Sequence, residues 1–565
     1  MKRQVSQAKD LPLKLPTRLV YIGEAQGELA PKLVLTPASA TLETLPYFTL
    51  SHSWSITTKG TSLKLTTENL QKLQEAIPLV DLPQTFRDAM DITHRLGYRY
   101  IWIDSLCIIQ DSRGDWENEA VTMCDVYGNS TCTITALGTG AMDRCYVQRN
   151  PLSLFPCRVN LAQGLTPVYA MSSDMDWDFD LPDKDSHIFR RGWVMQERLL
   201  SPRVLFTGQH QFHWECCHLR TNEAFTFAFG SGPVIAQSPK LAFHAMCDLQ
   251  FCTTDRYSLA DGADVHLTRN MLKWYPVWTK LLSDYTRMKL TYHSDKLMAL
   301  AGIFDAVQAS RGWTNVAGIW KEFWYLELLW EFDVEDGQRS STRTGSMFPS
   351  WSWAATVQPK KFYNTIKLLE GPGEYPICSC LIDPLSGPIN GGDFRPFCAA
   401  QIIGFSGIPS GSQHPPINAD PNVVLTIKGP IWAGFASVSS NPSDKAKIEA
   451  HFRFKKVSFD EILPKSQVVY FLPLLFSHNT NKLQDYPTGL ILAPVPVKDA
   501  VDVEYWPPAP RQADLDGKEK RGEDGRAVSN MVEPTHYRRI GLFWLGLGNM
   551  GLWANPNYER TIHII

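Results

Sequence analysis

Residues 98–127, YRYIWIDSLCIIQDSRGDWENEAVTMCDVY, decide the fold. Tyr98 to Asp104 are mostly aromatic and β-branched, a composition that suits a buried strand. From Asp115 to Tyr127 the pattern changes. Trp116, Ala120, Met123 and Tyr127 recur at spacings of four, three and four, which is a helical stripe. Asp115 suits the N-cap of that helix, and Glu117 and Glu119 suit the positive end of its dipole. A buried strand that feeds a helix is the first half of a crossover unit.

The neighbouring stretches repeat the alternation. Upstream, Tyr47 to Ser51 (YFTLS) reads as a short strand. Pro83 then opens a helix with Phe86, Ala89, Met90 and Thr93 on one face, and Gly97 stands where a C-terminal cap belongs. Downstream, Thr131 to Leu137 (TCTITAL) reads as a third strand. Strand, helix, strand, helix, strand predicts a doubly wound parallel sheet. After a loop-rich insert near 145–188, Trp193 to Leu200 reads as a helix and Val204 to Thr207 as a strand.

The rest of the chain divides by composition. Residues 1–45 form an N-terminal arm with a strand at Leu19 to Gly23, and 46–220 hold the α/β domain. Residues 221–360 form a mainly helical extension, with stripes at Trp278, Leu281, Leu282 and Tyr285 and at Ile319, Phe323, Leu326 and Leu329. Residues 361–565 are β-rich, with strands at Val468 to Leu472 and Leu490 to Ala493, and with a charged, solvated and disordered loop near 507–534.

Composition excludes several function classes. The 565 residues are 44% hydrophobic with a net charge of −3, so the chain has a sizeable core and no electrostatic footprint for nucleic acid. Eighteen Trp favour a well-packed protein without naming a ligand. No apolar run reaches the roughly 18 residues of a membrane span, and the N-terminus has no signal-peptide core. Twelve Cys without a regular framework read as free thiols, which places the protein in the cytoplasm.

In an open parallel sheet, ligands bind beyond the carboxyl ends of the strands. Those ends carry Ser51, His52 and Trp54 after the first strand, Asp104, Ser105 and Cys107 after the second, and Gly138 to Gly140 after the third. Glu119 falls about 60° from Trp116 on a helical wheel, at the margin of the buried stripe. A carboxyl group there can acquire the raised pKa of a catalytic acid, or simply serve the helix dipole or an arginine. In RRGWVMQERLLSPR (190–203), Arg191, Gln196, Glu197, Arg198 and Arg203 can clamp a phosphate or carboxylate, or form an internal ion-pair network. His210, His213, Cys216, Cys217 and His218 have ligand chemistry but lie on a strand, where neighbours face opposite ways, so no metal site is expected. Cys107 has no identifiable base beside it. The phosphate-binding loop, the dinucleotide fingerprint and the nucleophile elbow are all absent from the sequence.

Four blocks closely resemble the heterokaryon-incompatibility (HET) domain of filamentous fungi: YFTLSHSW at 47–54, LPQTFRDAMDITHRLGYRYIWIDSLCIIQD at 82–111, DWENEAVTMCDVYGNSTCTITA at 115–136, and RRGWVMQERLLSPRVLF at 190–206 with WEC at 214–216. Weaker likeness extends through LTYHSDKLMALAGI (290–303), AGIWKEFWYLELLW (317–330) and PSWSWAA (349–355). Family members commonly carry glycine after the tryptophan of the first block, where this chain has Ser55.

The resemblance implies nonself recognition that ends in programmed cell death, with self-association or another incompatibility protein as partner. The HET domain has been considered similar to the TIR domain, some members of which cleave NAD with a helix-borne glutamate. On that analogy the sheet is TIR-like, Glu119 is the catalytic residue, and NAD is a substrate with no resident cofactor. Ser51, Trp54 and Asp104 line the nucleotide site, with Cys107, Arg191, Gln196 and Arg198 as further binding residues. Two other functions stay open: a non-enzymatic self-associating signalling module, and an accessory or cyclase-like protein of a secondary-metabolite cluster.

Overall fold

The computed structural model describes residues 14–24, 27–53, 63–137, 144–146, 157–159, 168–170, 186–208, 211–223, 238–247, 269–333, 347–362, 397–398, 401–406, 423–437, 447–449, 454–460, 467–479, 484–495, 534, 536–545 and 559–565. The chain forms two compact units, one of Met1–Thr254 with Met288–Gly312 and one of Asp255–Arg287 with Trp313–Ile565. The helical stretch expected over 221–360 is thus divided between them.

The first unit is built on an eight-stranded sheet. Its strands are β1 (Arg18–Tyr21), β2 (Lys32–Leu35), β3 (Tyr47–Ser51), β4 (Tyr100–Ile103), β5 (Cys132–Ala136), β6 (Arg203–Thr207), β7 (Phe212–Cys216) and β8 (Arg220–Asn222). The order is β8-β7-β6-β5-β3-β4-β1-β2. The four central strands β6, β5, β3 and β4 are mutually parallel. Antiparallel pairs flank them, β1 and β2 on one side and β7 and β8 on the other. The N-terminal arm is therefore an edge of the sheet, because the apolar Leu19, Val20 and Leu33 bury against the same core.

Helix α1 spans Leu70–Glu75, α2 Gln84–Arg95, α3 Arg113–Gly128, α4 Gly192–Leu200, α5 Pro239–Cys247 and α6 Ala301–Arg311. Right-handed crossovers put α2, between β3 and β4, on one face and α3 and α4 on the other. The side chains of β3 confirm this by alternation. The Tyr47 hydroxyl donates to the Val126 carbonyl of α3 at 2.7 Å, and Thr49 Oγ1 bonds Thr133 Oγ1 of β5 at 2.6 Å. Among the parallel strands the second lies on one side of the first, and the third and fourth lie on the other. The switch point is therefore between β3 and β5, where such sheets bind ligands.

Two helix details depart from expectation. The α3 N-cap is Ser112, whose hydroxyl accepts the Asp115 N–H at 3.3 Å, and not Asp115. Asp115 is drawn away because its carboxylate accepts from Ile109 N–H and from Arg18. Trp116 is 38% exposed, while Glu119 and Ala120 are buried, so the inward face is rotated from the apolar stripe. The cause is the Arg18 guanidinium, which gives two acidic side chains of α3 a buried partner.

In the second unit the described strands of the ten-stranded sheet are almost entirely antiparallel. Gln467–Asn479 pairs with Gln484–Pro494, and that strand pairs with His536–Leu545. The helical stripe expected at 319–329 is broken at its start: Ile319–Trp320 closes a tight hairpin with Asn315–Val316, and short helical turns follow at Lys321–Phe323 and Trp324–Glu327. Ala317 and Gly318 take positive φ at its turn. The buried Glu327 carboxylate holds it by accepting from the Trp320 N–H and the Trp278 indole, both at 2.7 Å.

Gly302, in the first turn of α6, is packed against α3 and α4. A Cβ there would penetrate Cys124 Cβ and lie 2.7 Å from Leu200 Cδ1, while the Gly302 N–H donates to Gln196 Oε1 at 2.9 Å. Gly302→Ala should destabilise the chain by about 1–3 kcal/mol despite alanine's better helix propensity. The measurement is urea unfolding, and an unchanged or higher midpoint would show that the helices can separate.

Candidate functional site

The carboxyl edge of the parallel strands gathers a compact set of polar side chains. Ser51 ends β3 on the face toward α3 and α4, and its hydroxyl donates to Glu197 Oε2 on α4. Glu197 is only 4% exposed. Tyr127 rises from the last turn of α3, hydrogen-bonds Glu197 and lies 3.5 Å from the Leu50 carbonyl. Arg191, at the N-cap of α4, donates to the His52 carbonyl and attracts the Glu197 carboxylate. His52 follows β3 on the α2 face, where its ring stands edge-on to Phe86 at 4.9 Å. Its Nδ1 lies 3.8 Å from Asp104 Oδ1, in the first helical turn after β4.

Burial sets the electrostatics of this group. It raises the Glu197 carboxyl pKa, although Arg191, Ser51 and Tyr127 pull it down. It lowers His52, against the pull of Asp104, and raises the Tyr127 phenol well above its ordinary value. Two carboxyl groups, an imidazole, a phenol, a hydroxyl and a guanidinium thus meet at the switch point. They can hold or move a proton and bind an anionic group. Asp104 is the acid open to solvent, with 22% of its side chain exposed.

The expected site residues divide between this cluster and other positions. Ser51, Asp104 and Arg191 come together there. Trp54, Ser55, Gly138 to Gly140 and His210 lie outside the described residues. Glu119 is 3% exposed and sits against Arg18, at 3.2 Å. Arg18 also binds Asp115 at 2.6 Å and donates from Nε to the Cys107 carbonyl at 2.7 Å. Burial raises the Glu119 pKa, with Arg18 opposing. Its geometry fastens β1 to α3.

Cys107 is fully buried, and burial pushes its thiol up to about 12, far from a reactive thiolate. Gln196 caps the approach of α6. Arg198 grips the buried Glu215 of β7 through two bonds of 2.8 Å. Burial alone would raise Glu215, but Arg198, helped by Lys240, outweighs it and holds the carboxyl down to about 2. His213 is buried on β7, whereas Cys217 turns toward His244 of α5, 3.5 Å away.

Tyr127 is the site residue that sequence reading did not single out, and it placed His52 only among the strand-end residues and Glu197 only within the 190–203 group. Tyr127 reads as one more apolar position of a helix, and Glu197 as one charge among five. The usable signal was Ser51. A hydroxyl ending a fully buried strand requires a polar partner, and the crossover rules leave α3 and α4 to supply it.

Residues 47–197 match the family model described as heterokaryon incompatibility protein (HET), and the chain carries a HET domain there. That span runs from β3 into α4 and includes every member of the cluster. No curated protein and no solved structure matches the chain.

Two substitutions check these assignments. A carboxyl whose folded pKa lies above its ordinary 4.5 stabilises the fold fully below that value, and loses the contribution as pH rises through the folded pKa. The stability of the unaltered chain relative to Glu197→Gln should therefore fall between about pH 4 and about pH 8. Urea unfolding at both pH values reads it, and a pH-independent difference would contradict a raised Glu197. Arg198→Met removes both guanidinium bonds from the buried Glu215, leaving it the Ser238 hydroxyl and the more distant Lys240 charge, and should cost about 3–5 kcal/mol at neutral pH. Restoration by adding Glu215→Leu would locate the loss in that pair.

Proposed function

We propose that this protein is a heterokaryon-incompatibility effector whose HET domain cleaves NAD at the nicotinamide–ribose bond, using the cluster at the β3–β5 switch point. The observation that carries this reading is the convergence of Asp104, Glu197, His52, Ser51, Tyr127 and Arg191 beyond the carboxyl ends of β3 and β4. The 2-1-3-4 order of the parallel strands supports the likeness to TIR domains. Fold analogy alone says little about chemistry, so the residues must carry the argument.

In this reading the partly exposed Asp104 carboxylate faces the ribose. As the bond from C1′ to the pyridinium nitrogen breaks, its electron pair stays on nicotinamide and positive charge develops on the ribosyl group. Asp104 stabilises that charge, as an acid does in glycoside hydrolysis. Water then attacks C1′, giving ADP-ribose, and Asp104 accepts the proton. Arg191 binds the diphosphate. His52 and the Ser51–Glu197–Tyr127 set hold Asp104 and Arg191 in register. Glu119, bound by Arg18, positions α3 and does not contact the substrate.

The test is nicotinamide release from NAD by the full chain, under conditions where it self-associates. Asp104→Asn should lower kcat by about 100-fold or more. Arg191→Met should raise KM. Glu119→Gln should cost stability more than turnover. Loss of turnover in Glu119→Gln alone, with a normal melting profile, would move the catalytic role to Glu119. A second reading is favoured by the near-complete burial of Glu197: the cluster would be structural, in a self-associating signalling module. Absence of nicotinamide release, together with toxicity that survives Asp104→Asn, would establish it over the first.

A further inference from the structure

In the second unit, two histidines face each other across neighbouring strands. His536 opens the strand His536–Leu545, and His563 lies near the end of Glu559–Ile564. The strands run parallel at this point, with His536 and His563 directly opposite. Their ring centres are 5.1 Å apart and their planes 31° from parallel. His563 Nδ1 hydrogen-bonds Thr426 Oγ1 at 3.0 Å on the next strand, where Thr426 is its register partner. Tyr537 and Ile564, the next residues along, are buried, so both histidines lie on the face turned to solvent.

We infer that His536 and His563 form a bidentate site for a divalent transition-metal ion of the copper or zinc class. The geometry fits. Two imidazoles that each place a nitrogen about 2.0–2.1 Å from one ion, at a near-tetrahedral angle, have ring centres roughly 5 Å apart. Thr426 supplies the outer support that metal-bound histidines require. With Nδ1–H donated to Thr426 Oγ1, the ring orientation is fixed and Nε2 presents its lone pair. The strands are paired by backbone hydrogen bonds, so the two ligands are held in position before the ion arrives.

With two protein ligands, the remaining coordination positions belong to water or to an anionic co-ligand. Cu2+ is the sensitive probe, because it binds nitrogen sites most tightly among the first-row divalent ions. This site is independent of the HET-domain cluster and of the activity proposed for it.

The experiment is titration of the full chain with Cu2+ iminodiacetate, read by continuous-wave electron paramagnetic resonance. The expected spectrum shows two equatorial imidazole nitrogens at one copper per chain. His563→Gln and His536→Gln should each weaken binding at least tenfold and leave a one-nitrogen signal. Thr426→Val should weaken it by a smaller factor and keep both nitrogens. Circular dichroism of each variant separates loss of ligand from loss of fold. A two-nitrogen signal that persists in the folded His536→Gln/His563→Gln double variant would assign the copper to other histidines and overturn the site. So would absence of two-nitrogen binding in the unaltered chain.

Discussion

The architecture of the HET domain turns on a single constraint. β3 is buried along its whole length, yet every residue on its α3–α4 face carries a polar group: Tyr47, Thr49 and Ser51. An unpartnered polar group in such a place costs about 1–3 kcal/mol, so the helices must bring it a partner. Tyr47 takes the Val126 carbonyl, Thr49 takes Thr133, and Ser51 takes Glu197. Thr133 in turn bonds Ser201, whose hydroxyl also donates to the Glu197 carbonyl. This line of hydrogen bonds fixes β3, β5, α3 and α4 in one register, and the candidate site is its upper end. Geometry that holds the sheet together therefore also positions the chemistry.

Two buried charge systems share the work of assembly around it. Arg18 ties β1 to Asp115 and Glu119, and Arg198 ties α4 to Glu215. Both follow the rule that an interior charge persists only when paired and hydrogen-bonded. The second unit solves the same problem with Arg539. That fully buried guanidinium is held by Asp460 at 2.8 Å and by the Trp330 carbonyl at 2.6 Å, and it stacks on the Trp330 ring at 3.5 Å. The wide face of Trp330 covers that cation while still filling the core.

These arrangements separate two kinds of polar residue within one short sequence. In the stretch 190–203, Gln196 and Arg198 are spent on packing α6 and gripping Glu215, whereas Arg191 and Glu197 turn toward the rim. On α3 the contrast is similar, with Glu119 facing Arg18 and Tyr127 reaching Glu197. Residue type did not distinguish them. What decided the outcome was which partner lay across the space between helices.

The sequence by itself determined the alternation of strands and helices from Tyr47 to Thr207, because periodicity and capping act over one or two turns of chain. It also determined the rim position of Ser51 and Asp104, because a strand's carboxyl end is a local property. Only the tertiary structure decided that Glu119 would meet Arg18, about a hundred residues earlier in the chain. The same holds for Ser51 choosing Glu197, and for Trp116 turning outward on α3. The physical reason is that a buried charge selects its partner by distance through space and by desolvation. No spacing along the chain encodes which distant group will arrive.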